Sequence, residues 1–403
     1  MGTPSLGARL RELLDRHGLV RAPDLQTDAG RTASRLELFF DLAFVLVITQ
    51  LATGLREELT GAGVGVFAGL FTVVWWSWVS STLYANRFDH DDVLYRLYKL
   101  ASMAAVIGLA AAAPEATGRR FAAFAGCAVV LRVLLLLQYL RADRAVPQAR
   151  PVVRLYAGTL AVGAVLWAVS PALPRPAGFV LWAVAVAGEV LGPLLATRSH
   201  VDVPLHLEHL PERFALFVIL VLGESVAAVA NGLIRTGWSG PSVAVAAACF
   251  VLAAGLWWSY IDLAGGRAKR LLDRAGGDRG EHAHDIYVFG QLPICLGLAA
   301  VGAGIQLAVE ESGRGEVPLG TRLLIAGGVA LYLVAVSGTN TGMARSWRSG
   351  WWWPVAAAVV AGLDALVELP ALAVVGALAA VMAVVVVVGT VDRAAGRLRV
   401  DPL

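Results

Sequence analysis

Arg35 to Leu55 reads RLELFFDLAFVLVITQLATGL. Two acids, Glu37 and Asp41, stand at the head of an apolar run long enough to cross a bilayer, which takes about 20 residues. An acid inside a spanning helix costs roughly 2.5–3.5 kcal/mol on insertion scales. A helix that keeps two of them turns them toward a protein interior or a water-filled cavity. Their four-residue separation puts both on one face, about 6 Å apart along the axis. Thr49, eight residues beyond Asp41, extends the same stripe. Such a helix needs partner helices to cover its polar face, so the stretch predicts a membrane-embedded bundle.

The rest of the chain supplies the partners. Of 403 residues, 58% are apolar and 16% charged, against about 25% charged in soluble domains. The deficit runs along the whole chain, which excludes a soluble domain with a single anchor. Twelve segments are apolar enough to span: 36–55, 65–85, 93–113, 121–140, 152–170, 177–197, 212–234, 241–263, 285–309, 321–342, 352–367 and 370–391. The eleventh is short and carries Asp364 and Glu368. Turn residues such as Pro114, Pro171, Pro174 and Gly276-Gly277 punctuate the runs. The fold class expected is all-α, a polytopic bundle of about twelve transmembrane helices.

Charge sets the orientation. With alternating sides, 25 Lys and Arg fall on the side of the N-terminal tail and seven on the other, while Arg132 lies inside a span. Cytoplasmic loops carry the excess, so both termini are expected in the cytoplasm. Residues 1–34 form a basic N-terminal tail with no cleavable signal peptide. Leu6, Leu10, Leu13 and Leu14 share one helical face, which suits either a short amphipathic helix on the membrane surface or a tail without fixed structure. Residues 393–403 form a C-terminal tail.

The halves resemble each other. Phe44–Ala52 (FVLVITQLA) lies against Val218–Val226 (VILVLGESV), Trp75-Trp76-Ser77 against Trp257-Trp258-Ser259, and Asp92–Tyr95 against Asp285–Val288. The matches follow chain order. Residues 35–200 and 201–392 are therefore expected to be two six-helix halves, entering from one side as a parallel repeat.

The acids are the best handle on function. Glu37 and Asp41 read as proton- or cation-binding groups at the cytoplasmic mouth of an interior path, with Gln50 as a supporting polar group in the same span. The bland reading makes Glu37 interfacial and gives Asp41 a bond to a neighbouring helix. Two acids this close titrate as a coupled pair, which suits proton handling. In the seventh span Glu212, with Arg213 beside it, plays the entry role, and Glu224 lies twelve residues deeper behind Gly223. Glu189 is about as deep in the sixth span. Arg132 is a partner for either glutamate and cannot fully compensate both, so the other needs a second cation or a proton.

Other polar groups gather at the cytoplasmic ends: Asn86, Asp89, His90, Asp91 and Asp92, then Asp262, His282, His284 and Asp285, with His206, Glu208 and His209 before the seventh span. Their spacing matches no known ligand geometry, so no metal is expected. The tryptophans at 75, 76, 78, 257, 258 and 351–353 read mostly as an interfacial belt. Cys127, Cys249 and Cys295 stand alone in apolar runs, which excludes disulfide or thiolate-metal chemistry. No P-loop, dinucleotide fingerprint or nucleophile elbow is present. No cofactor and no nucleic-acid partner are expected.

Three motifs carry a resemblance: Leu36-Glu-Leu-Phe-Phe-Asp-Leu-Ala-Phe44, Tyr84-Ala-Asn-Arg-Phe-Asp89, and Glu212-Arg-Phe-Ala-Leu-Phe followed by Leu222-Gly-Glu-Ser225. With them the chain resembles the bacterial low-temperature-requirement A (LtrA) membrane proteins over most of its length. The resemblance implies a multi-pass protein of the bacterial cytoplasmic (inner) membrane, in a family named for a cold-growth phenotype and not for a reaction. Arg35-x-x-x-Phe39-Phe40-Asp41 also looks like the R-x-x-x-F-S-D signature of a channel family built from six-helix repeats. Phe40 stands at its Ser position.

The function expected first is a transporter or ion-conducting protein with Glu37, Asp41 and Glu224 along an interior path. A membrane-embedded enzyme acting on a lipid or isoprenoid is one alternative, and a non-catalytic protein with a stress role is the other. The partners expected are the lipid bilayer, a small solute, ion or lipid, and a second copy of the chain in a homo-oligomer.

Overall fold

Ser34 and Glu37 start the first helix. Ser34 N–H donates to Glu37 Oε2 at 2.9 Å and Glu37 N–H donates to Ser34 Oγ at 3.2 Å, a reciprocal capping box that satisfies two otherwise orphaned donors. Helix α1 then runs Arg35–Glu57. Leu38, Leu42 and Leu46 are exposed on one face, while Glu37, Asp41, Phe44 and Ile48 are buried on the other. The apolar face meets lipid and the acids turn inward, as the stripe requires.

The computed structural model describes residues 20–26, 34–89, 91–197, 210–274, 278–345 and 352–395. After α1 come α2 Gly61–Arg87, α3 Val93–Ala112, α4 Phe121–Ala145, α5 Arg150–Val169, α6 Arg175–Thr197, α7 Leu210–Arg235 and α8 Gly240–Trp258. A π-helical segment, Ser259–Gly265, joins α8 to α9 Gly266–Arg274. The chain continues as α10 Asp278–Glu310, α11 Leu319–Ala344, α12 Trp352–Asp364 and α13 Ala371–Ala394. Strand β1, Asp24–Leu25, pairs antiparallel with β2, Phe88–Asp89. The Leu6–Leu14 stripe lies outside the described residues.

Among the described residues, eleven helices are long and apolar enough to cross a membrane, and Pro354–Asp364 is a shorter apolar helix. The protein is a polytopic helical membrane bundle. The short helix coincides with the eleventh expected span, where Asp364 and Glu368 interrupt the apolar run.

The chain divides into two compact units. The first holds Met1–Val47 and Val73–His209, the second Ile48–Thr72 and Leu210–Leu403. In the first, rings fill both ends of the bundle. Tyr84, Phe88, Tyr139 and Tyr156 pack together at one, with Tyr84 and Tyr139 edge-on at 4.9 Å. Trp167 stacks on Trp182 at 4.6 Å and Trp182 on Phe121 at 4.4 Å at the other. In the second, α10 and α11 touch through their backbones. A Cβ on Gly297 would sit 2.7 Å from the Gly328 carbonyl oxygen, so only small residues allow this approach, as is common between membrane helices.

The tryptophans divide differently from the belt expected of them. Trp75, Trp76 and Trp78 are buried, whereas Trp257 and Trp258 are half exposed. The first three face protein, and Trp78 has a specific polar partner there. Trp351 lies outside the described residues.

Candidate ion-binding site

Glu224 is fifteen positions into α7 and only 3% exposed. Three polar residues of α1 gather around it. Thr49 Oγ1 donates to Glu224 Oε2 at 2.6 Å, and Arg56 Nη1 donates to Oε1 at 3.3 Å. Thr53 Oγ1 accepts from Arg56 Nη2 at 2.8 Å and donates to the Thr49 carbonyl, also at 2.8 Å. Thr49, Thr53 and Arg56 stand at steps of four and three residues, so they share one face. All three belong to the second unit.

The other wall is α10. A Cβ on Gly302 would lie 3.2 Å from Glu224 Cγ and 3.3 Å from Ser225 Oγ. Gln306 and Glu310 continue that face at four-residue steps. Gln306 Nε2 donates to Glu310 Oε1 at 2.8 Å, and the same oxygen pairs with Arg235 at 3.3 Å. Ser225 Oγ and Gln306 Oε1 are buried and, among the described residues, have no hydrogen-bond partner. A buried polar atom left unmatched costs about 1–3 kcal/mol. Glu224 therefore sits where the protein supplies more polar capacity than its own contacts use.

Glu189, in the first unit, is held differently. Arg132 Nε and Nη2 donate to its two oxygens at 2.6 and 3.1 Å. Arg132 Nη1 donates to the Ala128 carbonyl at 3.1 Å, and the guanidinium lies 4.7 Å from the centre of the Trp167 ring. Both side chains are 3% exposed. This is a closed, two-pronged ion pair. The arginine that sequence offered to either glutamate goes to Glu189, and the second cation that Glu224 needed is Arg56.

Asp41 also lies in the first unit and is 1% exposed. Trp78 Nε1 donates to its Oδ1 at 2.8 Å. Nearby on the same helix Phe40 underlies a buried lysine: Lys99 Nζ is 4.3 Å from the Phe40 ring centre and donates to Ser81 Oγ. Lys99 is 2% exposed, although its place near the start of a span groups it with loop cations.

The family model of the bacterial low temperature requirement A protein (LtrA) matches residues 32–387. The chain belongs to the LtrA family. A relative from Rhizobium meliloti (strain 1021), described as uncharacterized protein RA0937, is 30% identical over 292 residues, which are 68% of this chain and 70% of the relative.

The remaining polar residues of this LtrA protein scatter. Glu37 is buried and closes the helix cap described above. Glu212 is exposed and pairs with Lys269 at 3.6 Å. Arg213 and Asn86 are buried, and Gln50 is half-buried. The Asp89 backbone pairs with Asp24 in the small sheet. The Asp262 carbonyl accepts from Arg393 at 3.1 Å. His284 is buried with Nδ1 3.2 Å from Asp285 Oδ1. Asp92, from the repeat match, caps α3 by accepting from Tyr95 N–H at 2.8 Å and also binds Arg141 and the Arg21 N–H. Burial opposes its ionisation, but the bonds from Arg141, Tyr95 and Arg21 outweigh it and hold its pKa below the usual aspartate value. His90, His206, Glu208 and His209 lie outside the described residues. Among the described residues no three His, Cys, Asp or Glu gather as metal ligands would.

Sequence reasoning found Glu224 and Thr49 but passed over Thr53, Arg56, Ser225 and Gln306. The first two had a readable signal, the helical spacing Thr49-x-x-x-Thr53-x-x-Arg56. Gln306 had none, because its role depends on which face of α10 meets α7.

Proposed function

We propose that this LtrA protein moves a proton or a small cation across the bacterial inner membrane, with Glu224 as the group that binds and releases it. The observation that carries the reading is the incomplete satisfaction of the Glu224 site. One guanidinium N–H and one hydroxyl hold the carboxylate, while among the described residues Ser225 Oγ stands buried and unmatched beside Gly302, and Gln306 Oε1 likewise one turn further along α10. Intramembrane acids commonly mark ion and proton pathways.

The chemistry follows from the geometry. Arg56 is an internal counter-ion on a single hydrogen bond and is itself 10% exposed. An arriving proton or cation competes with it for Glu224, and Arg56 then falls back on Thr53. Gln306, Glu310 and Arg235 form a polar line toward the end of α10, where Arg235 is exposed. This line is the route by which the ion leaves or enters. Asp41 is a second binding group, serving the first unit. Both termini lie in the cytoplasm in this reading, supported by the 25-to-7 division of basic residues between the two sides.

The test is flux. In liposomes under an imposed proton, sodium or potassium gradient, the wild-type protein should conduct at least one of these ions. Glu224→Gln should lose tenfold or more of that flux while staying folded. Wild-type flux retained by Glu224→Gln, or no flux of any of the three ions through the wild type, overturns the proposal.

A further inference from the structure

The second unit carries a basic surface that the Glu224 site does not use. It forms where the chain leaves regular geometry after α8. Between Ser259 and Gly265 the backbone is π-helical, a form that recurs at functional sites. The last turns of α13 lie against this segment, since a Cβ on Gly389 would sit 2.4 Å from Leu263 Cδ1. One turn further along α13, Arg393 Nη1 donates to the Asp262 carbonyl at 3.1 Å. Arg270, on α9, folds back toward the start of its helix: its Nη1 comes within 3.6 Å of where a Cβ on Gly266 would stand. Arg267 is close enough to Arg270 for their charges to act on each other. Three guanidiniums from two helices therefore gather at the level of residues 262–267.

The depth of that level follows from α8. Its 19 residues span about 28 Å at the regular rise, close to the roughly 30 Å of a bilayer's hydrocarbon core. The helix ends on Trp257 and Trp258, both half exposed, as tryptophans at a membrane–water boundary commonly are. Asp262 stands four residues further, about 6 Å along the axis. The polar layer of a bilayer extends about 5–7 Å beyond each side of the core, so the arginine heads stand at the depth of lipid phosphates. Toward the core, both helices expose apolar side chains, Phe250 and Trp258 from α8 and Val384, Val387 and Val391 from α13. Of the charges at the same level, Lys269 is paired with Glu212 at 3.6 Å. Asp262 and Asp392 offset two of the three arginines, which leaves one positive charge in excess.

We infer that this surface binds an anionic phospholipid of the adjoining leaflet, its phosphodiester on Arg267, Arg270 and Arg393 and an acyl chain along the exposed valines of α13. A guanidinium carries five N–H donors, so Arg393 holds the Asp262 carbonyl and still has donors for a phosphate. The planar fork of arginine suits paired phosphate oxygens. Basic clusters at the end of a span attract anionic lipid, whereas a zwitterionic lipid brings its own cation to the same place and gains less. The surface involves neither Glu224 nor its neighbours, so it can stand or fall without the transport reading.

Native mass spectrometry of the full chain in neutral detergent tests it. Phosphatidylglycerol and phosphatidylcholine with the same acyl chains are titrated separately, and inorganic phosphate is then added to each complex. The expected result is that phosphatidylglycerol is retained with at least tenfold the apparent affinity of phosphatidylcholine and is not displaced by inorganic phosphate. The triple variant Arg267→Gln, Arg270→Gln, Arg393→Gln should lose that preference. A control triple in the first unit, Arg96→Gln, Arg144→Gln, Arg154→Gln, removes the same charge and should keep it. If the first triple variant does not fold, the single variant Arg393→Gln, at an exposed residue, should lower the preference threefold or more. Equal affinity for the two lipids, a preference that survives in the folded variant, equal loss in the control triple, or displacement of the lipid by inorganic phosphate each overturns the inference.

Discussion

Glu189 and Glu224 are both glutamates deep in spanning helices, both 3% exposed, and both beside an arginine. They are held in opposite ways. Arg132 meets Glu189 with two nitrogens, spends a third on a helix carbonyl and stacks on Trp167. Arg56 meets Glu224 with one nitrogen at 3.3 Å and keeps a threonine as its other partner. Depth and burial therefore do not distinguish the two acids. What differs is the arginine's commitment, two guanidinium nitrogens on Glu189 against one on Glu224, where a threonine hydroxyl holds the other oxygen.

The largest expected effect tests the closed pair. Arg132→Met leaves Glu189 buried without its partner, and breaking a buried pair from one side costs about 3–5 kcal/mol. The double variant Arg132→Met, Glu189→Met should recover most of that, because replacing both charges by apolar groups of similar size is often neutral or stabilising. Ion flux through the double variant should match the wild type. Unfolding in detergent measures the first effect and liposome flux the second. A single variant as stable as the parent would mean that the pair is not the fixed strut that its geometry describes.

A smaller effect compares the glycines behind the two acids. A Cβ on Gly163 would fall 2.2 Å from Glu189 Oε1, whereas one on Gly302 would fall 3.2 Å from Glu224 Cγ. Gly163→Ala must push a carboxylate that is fixed at both oxygens, and overpacking of this kind costs about 1–3 kcal/mol. The contact at Gly302 is a full ångström longer, so Gly302→Ala should cost less than Gly163→Ala in the same unfolding assay. Its mark should be on flux instead, since it fills the wall next to Ser225. Equal stability losses at the two glycines would erase the distinction between a rigid and a yielding site.

These contrasts also show what the chain reveals before folding. The inward turn of Asp41 and Thr49 was legible, because the apolar run leaves only one face for polar groups. Glu37 was legible too, but as something else: Ser34-x-x-Glu37 ahead of an apolar run is a helix-start signature, and the structure uses Glu37 there. Arg56 and Lys99 were hidden by position. Both sit near span ends, where a cation normally reaches for water, and composition cannot tell that each instead turns inward. Trp75, Trp76 and Trp78 read as interfacial although they stand in the middle of the 65–85 run, and the structure buries them against protein. Which arginine serves which glutamate was not legible at all. That depends on which helix faces meet, and apolar helices with so many small residues can meet in several ways.

The finest comparison concerns hydroxyls. Thr49→Val keeps the shape of the side chain and removes the donor to Glu224 Oε2. A hydrogen bond to a charged group contributes about 1.5–3 kcal/mol, but here Arg56 can swing toward the freed oxygen, so the stability loss should fall at or below the bottom of that range. Flux should change more than stability, because the threonine helps to set how strongly Glu224 holds its proton or cation against Arg56. The matched control is Thr159→Val in the first unit, whose hydroxyl donates to the Tyr156 carbonyl at 3.0 Å. It should leave flux unchanged. If both valines alter flux alike, the effect belongs to the bundle as a whole and Thr49 has no special claim on the ion. If only Thr49→Val does, the hydroxyl and the carboxylate act as one site, and the loosely held acid is the one that works.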